Sequence, residues 1–193
     1  KIILSNHNMN KDRSILIHDV ASLTFLAPFS FFCVAESVFG YSVYPMFLTH
    51  TLTTYMSIDL MWILLQPRIV HAFRKLIILH HVVCLTALLR PLMYPAEAFI
   101  VGIVGIVEID TSLLTIRRLT PRNSSMYPII TDLYHTSNLL IRVGYESCVT
   151  LFLSYLYMYE SMYAKIHILG CQYFINIFSC GICALTYSKR KVK

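Results

Sequence analysis

Charge is what this chain has least of. Asp, Glu, Lys and Arg make up 13% of its 193 residues, against about 25% in an ordinary soluble domain. With 56% apolar residues and a mean hydropathy of +0.62, it cannot cover a water-facing surface, which excludes a soluble, core-rich fold. No Gly/Ser linker, internal break in composition or low-complexity stretch divides it, so residues 1–193 read as one domain. A secretory signal is not visible either: the opening "KIILSNHNMNKDR" has too short an apolar run, and it starts at Lys1 without an initiator Met. Six cysteines are present (Cys33, Cys84, Cys148, Cys171, Cys180 and Cys183). Nearly all sit in apolar runs, where Cys behaves as a small hydrophobe. Cys180 and Cys183 form a C-x-x-C with no second ligand pair nearby, and they read as membrane-buried thiols.

Long apolar runs are what the chain does have. The expected fold class is an all-α, polytopic transmembrane bundle with six spans, at about 15–39, 47–66, 73–92, 96–116, 134–158 and 164–187. Breaks are expected at Gly40 with Pro45, at Pro67, at Pro91 with Pro95, at Pro121 with Pro128, and, least marked, at 159–163. The basic residues check this count. Thirteen of the sixteen Lys and Arg fall on one side: Lys1, Lys11, Arg13, Arg68, Arg74, Lys75, Arg117, Arg118, Arg122, Lys189, Arg190, Lys191 and Lys193. Arg90 and Lys165 fall on the other side, and Arg142 lies within a span. The bias places both termini in the cytosol. The net charge of +6 therefore sets topology and contacts to anionic lipid, and does not mark a nucleic-acid surface. The tail "KRKVK" carries Lys189 and Lys191 at the spacing of a dilysine retrieval signal for the endoplasmic reticulum; a generic positive-inside tail explains it equally well.

Ionisable groups inside spans cost about 2.5–3.5 kcal/mol each on insertion scales and usually face the bundle interior. At about 1.5 Å per residue, His80 and His81 lie roughly 8–9 Å from the cytosolic boundary, Asp59 about 13 Å, and Glu108 and Asp110 about 10–13 Å. Three helices thus place titratable groups in one layer. Glu108, Thr111, Ser112 and Thr115 follow helical spacing, Tyr55 and Asp59 are one turn apart, and His135, Asn138, Arg142 and Glu146 form a polar stripe. Adjacent histidines point about 100° apart, so only one of His80 and His81 faces the interior squarely. Interhelical hydrogen bonds, such as Asp59 to His80 or Arg142 to Glu108, are the plainest use of this layer. A metal site has suitable ligand types, but adjacent histidines on one helix do not easily share an ion, and no metal or other cofactor is expected. The third use is a histidine in a low-dielectric cavity, oriented by a carboxylate, acting as general base or nucleophile.

The ordered motifs resemble the TLC domain, named after TRAM, Lag and CLN proteins, the family that includes the ceramide synthases. They are "RSILIHDV" (Arg13–Val20), "YMSIDLMW" with Tyr55 and Asp59, "HHVVCL" with the His pair, "EIDTSLLTIRRL", and "NLLIRVG" with Asn138 and Arg142. The likeness runs over about residues 12–187. It departs from the ceramide synthases after His81, where their Ser-Tyr and second His are missing; Glu108 stands at the acidic position, with Val107 beside it. The resemblance implies a six-helix bundle around a cavity open to the cytosol, in the endoplasmic reticulum membrane, and a part in lipid metabolism. It implies acyl transfer from a fatty acyl-CoA to a lipid amine or alcohol, with His80, His81, Asp59 and Glu108 catalytic. Asp110, Asn138, Arg142 and Tyr55 would bind substrate, Arg142 holding a phosphate or carboxylate head group. The alternative is a non-enzymatic protein that binds membrane lipids, regulates bilayer composition or escorts cargo. A transporter or channel ranks third, because Pro28 is the only proline interior to these spans and transporter spans are more often visibly broken.

Overall fold

The computed structural model describes residues 2–39, 45–66 and 73–191, with the side chains of 2–12, 39 and 189–191 left out. The expected breaks at Gly40 and Pro67, and the basic side chains of the tail, lie outside what is described. Every regular element among the described residues is helical: α1 (Ile2–Phe39), α2 (Pro45–Leu65), α3 (Arg74–Met93), a 3-10 turn (Pro95–Glu97), α4 (Phe99–Gly105), α5 (Glu108–Leu119), α6 (Met126–Ser137), a π-helical segment (Asn138–Tyr145), α7 (Glu146–Leu156) and α8 (Met162–Lys191).

Four stretches are long and apolar enough to cross a membrane: Arg13–Val38, Arg74–Met93, Met126–Leu156 and Met162–Ser188. A fifth is Pro95–Gly105 with Glu108–Leu119, bent by 41°. Their outward faces carry Phe31, Leu151, Ile166 and Ile177, each more than two-thirds exposed, a surface that suits lipid and not water. α2 has the length but not the hydropathy, because four threonines, Ser57, His50 and Asp59 dilute its apolar residues. Several of those hydroxyls are spent on α2 itself: Thr49, Thr53 and Ser57 each donate to the carbonyl four residues back, at 2.7–2.9 Å.

The elements pack as six rods in a ring. α1 lies against α2, α2 against α3, α3 against α8, and α8 against the α6–π–α7 rod. That rod meets α5, and the bent α4–α5 rod closes the ring on α1. Two prolines fall differently from expectation. α3 runs through Pro91 to Met93, since a proline two residues from a helix end forfeits little of the ladder. Pro128 sits in the first turn of α6, where an N–H would have no partner anyway, so this rod begins at 126 and not 134.

The bend in the α4–α5 rod has a local cause. Ile106 and Val107 bond only three residues back, to Ile103 and Val104, and the Tyr145 hydroxyl from the π segment donates to the Ile103 carbonyl at 2.8 Å. Just before the bend, Gly105 lets α1 come close: a Cβ there would lie 2.5 Å from Cys33 Sγ and 3.0 Å from the Phe29 ring.

The two ends of the ring differ. One carries Arg74, Lys75, Arg117 and Arg118 and is the basic end. There Arg74 donates through Nη2 to the last carbonyls of α2, Ile63 at 3.2 Å and Leu64 at 3.3 Å. At the other end Arg90 makes two 2.7 Å bonds to the Glu97 carboxylate. The Tyr157 hydroxyl donates to the same carboxylate, and the guanidinium lies over the Tyr94 and Tyr157 rings. This clamp ties α3 to the 3-10 turn and to the turn after α7.

Candidate functional site

The titratable residues read from the sequence as one layer split into two sites, because the two histidines face different neighbours. His81 turns toward α2. Its Nε2 is 2.7 Å from Asp59 Oδ2, and its Nδ1 is 2.8 Å from the Ile77 carbonyl. The other oxygen of Asp59 receives His18 Nε2 from α1, also at 2.7 Å. One carboxylate therefore joins three helices. His18 Nδ1 is 3.4 Å from Asp19, whose carboxylate also meets Arg118 of α5 at 3.1 Å. Both His81 nitrogens face acceptors, so this ring offers no lone pair to a substrate. Tyr55, one turn before Asp59, stacks on Phe25 with ring centroids 4.7 Å apart.

His80 turns the other way, into the ring's interior. It stacks on Phe178 of α8 at 4.4 Å with the planes 16° apart, which fixes where its nitrogens point. It lines a cavity of about 100 Å³, comparable with an engineered apolar cavity of about 150 Å³ that takes a benzene ring. Such a space holds a reacting group and a short stretch of chain. At the end nearer the basic residues the lining is His80, Glu108, Arg142 and Glu146. Further along, α3 contributes Cys84, Leu88 and Pro91, with Val101, Leu153 and Ile168 from the other rods. From His80 to Pro91 is eleven residues of helix, about 16 Å. The cavity thus has its charged groups at one end and is mostly apolar along its length, with Gln172 of α8 also in its wall.

Arg142 is held in place from behind. Its Nε donates to Asp110 Oδ2 at 2.9 Å, and its Nη2 donates to Thr111 Oγ1 at 2.6 Å. Asp110 also accepts from Ser137 Oγ at 2.6 Å and from Asn138 Nδ2 at 3.1 Å. Two local devices make this possible. The bend at 106–107 puts the first turn of α5 inside the bundle, and a helix N-terminus favours the negative charge of Glu108 and Asp110. The π segment widens the opposing helix where Asn138 and Arg142 reach across. Glu146, at the start of α7, is 2% exposed and accepts from Ser179 Oγ of α8 at 2.8 Å.

Of the residues singled out from sequence, His80, Glu108 and Arg142 come together at the cavity. Asp110 and Asn138 stand behind Arg142, while Asp59, His81 and Tyr55 belong to the α1–α2–α3 junction. The expected bonds from Asp59 to His80 and from Arg142 to Glu108 are replaced by Asp59 to His81 and Arg142 to Asp110. The sequence places Glu146 only in a stripe and His18 only in a motif, with no partner indicated for either. Ser179 and Phe178, which hold Glu146 and His80, carried no signal beyond their place in an apolar run. Among the described residues no group of three or more His, Cys, Asp or Glu is placed to hold a metal ion.

The layout is that of a short amphipathic pocket with one imidazole, one anchored guanidinium and two carboxyls at its polar end. It can orient a polar head, move a proton at His80, and shelter apolar carbons from water. No family model, curated protein or solved structure matches the chain.

Proposed function

We propose that the chain is a TLC-type membrane protein of lipid metabolism or homeostasis in the endoplasmic reticulum. It has six spans, both termini cytosolic, and it transfers an acyl group from acyl-CoA to a lipid amine or alcohol. The observation that carries this reading is the meeting of His80, Glu108, Arg142 and Glu146 at one end of a mostly apolar cavity. α2 supplies the sixth span: it stands in the ring between α1 and α3, with Thr49, Thr53 and Ser57 bonded to its own carbonyls and Asp59 to His18 and His81. The polar end of the cavity lies toward the basic residues, which the positive-inside bias assigns to the cytosol, where acyl-CoA is found.

In this reading His80 takes the proton of the attacking amine or alcohol. Arg142, held by Asp110, stabilises the oxygen that becomes negative as the tetrahedral intermediate forms. Glu108 and Glu146 orient the acceptor. His81 and Asp59 are positioning residues: they lock α1 and α2 against α3 behind His80. A second reading, a lipid-binding or composition-regulating protein without turnover, draws on the small volume and on an Arg142 whose Nε and Nη2 are already engaged.

The test is lipid mass spectrometry on cells expressing the native chain, His80→Ala and His81→Ala at matched membrane abundance. Acyl transfer predicts a lipid class that rises with the native chain and not with His80→Ala. Identical profiles for native and His80→Ala refute it. Copurified lipid retained without turnover then identifies the binding protein.

A further inference from the structure

We propose that Cys84 is the acyl acceptor within the cavity: the acyl group passes from acyl-CoA to Cys84 Sγ as a thioester before it reaches the lipid. This rests on the acyl-transfer reading of the same site.

Cys84 lies one turn beyond His80 on α3, and both line the cavity. Its Sγ is 3.6 Å from His80 Nε2 and 3.9 Å from Nδ1. The stacking of His80 on Phe178 holds the imidazole beside the sulfur, about equally far from its two nitrogens. His81, the other imidazole of the pair, is committed to Asp59 and Ile77, so His80 is the imidazole that serves the thiol. The sulfur also sits where the lining changes from polar to apolar. An acyl carbonyl at Sγ has Arg142 at the polar end of the same cavity, and its chain runs toward Leu88, Pro91 and Leu153. The other cysteines lack this setting: Cys33 is packed beside Gly105, and Cys180 contacts Asn176.

The step balances without another reagent. Sγ attacks the thioester carbonyl of acyl-CoA while its proton moves to His80, so no thiolate need exist beforehand. The bond from the carbonyl carbon to the coenzyme A sulfur breaks, and His80 returns the proton to that sulfur. One thioester replaces another. The acceptor amine or alcohol then attacks the Cys84 thioester, His80 takes its proton, and the proton passes to Sγ as the carbon–sulfur bond breaks.

The experiment uses microsomes carrying the full chain and a long-chain acyl-CoA with a terminal alkyne. Labelled peptides are mapped by mass spectrometry before and after neutral hydroxylamine, and lipid product is measured in parallel. The native chain is expected to carry label on Cys84 that hydroxylamine removes. His80→Ala is expected to slow labelling about 100-fold or more, the scale of a lost general base. Cys84→Ser is expected to trap a hydroxylamine-resistant ester or to lose both label and product. Product at the native rate from Cys84→Ala, or product from the native chain with no label at Cys84, overturns the assignment while leaving acyl transfer standing. Neither label nor product from the native chain overturns both. Because the native chain's own label decides the matter, a variant that fails to fold does not shield the proposal.

Discussion

Replacing Asp110 by Asn tests the anchoring of Arg142 with almost no change of shape. Three donors converge on this carboxylate: Ser137 Oγ on Oδ1, and Asn138 Nδ2 with Arg142 Nε on Oδ2. An amide keeps one oxygen. With that oxygen toward Ser137, its NH2 faces two other donors; rotated, it faces Ser137 and leaves the guanidinium with half a neutral partner. Asp110 is 2% exposed, so water does not repair the loss. Breaking a buried ion pair from one side costs about 3–5 kcal/mol. For a chain of this size that is a fall in Tm of about 2–4 °C per kcal/mol, or roughly 6–20 °C in all. The assay is thermal unfolding of the purified protein in detergent. Adding Arg142→Met to Asp110→Asn removes the stranded cation, and the double variant is expected to melt above Asp110→Asn alone. A fall of less than about 1 kcal/mol for Asp110→Asn, or a double variant no better than the sum of the singles, refutes the account of Arg142 as a group positioned by Asp110.

Other expectations follow from the same geometry. His81→Ala removes one leg of the α1–α2–α3 junction and is expected to lower the melting temperature by about 1–3 kcal/mol equivalent. His80→Ala stays within about 1 kcal/mol of native while abolishing product; the reverse pattern in paired melting and lipid measurements overturns the division of labour between the two rings. Arg90→Lys keeps the charge but loses the two-bond fork and the stacking on Tyr94 and Tyr157, a loss of about 1–3 kcal/mol readable by thermal shift. Gly105→Ala forces a methyl against Cys33 and Phe29 and is expected to cost about 1–3 kcal/mol. Cys33→Ala in the same chain is expected to recover part of that cost in a double-mutant cycle, and additive effects contradict the close approach.

Helices, and the described turns near Pro95, Pro121 and 159–161, were legible because they depend on local properties, the length of apolar runs and the position of Pro and Gly. What depends on a neighbour was not. His80 and His81 differ by about 100° of rotation, and which one meets the cavity is decided by Asp59 on α2 and Phe178 on α8. Helical spacing grouped Glu108 with Thr111, Ser112 and Thr115, yet Arg142 reaches Asp110 and Thr111. The α-helical spacing of the stripe from His135 to Glu146 runs across a segment that is π-helical. There Asn138, Arg142 and Glu146 stay with the site, while His135 lies beside Tyr134 and Tyr187. A bulge or a bend re-aims side chains by amounts that no fixed period contains. α2 shows the opposite limit: the hydroxyls of Thr49, Thr53 and Ser57 are absorbed by its own carbonyls, so residue type alone overstates its polarity.

The two irregular places, the bend at Ile106–Val107 and the π segment, lie at one level, joined by the Tyr145–Ile103 bond. Elsewhere these rods are held by regular ladders that resist flexing. On one side of this level the Arg90 clamp fastens three pieces of chain together. Both departures from the regular ladder fall where Asp110 and Arg142 must meet, so the irregular backbone is confined to the level that carries the buried charge.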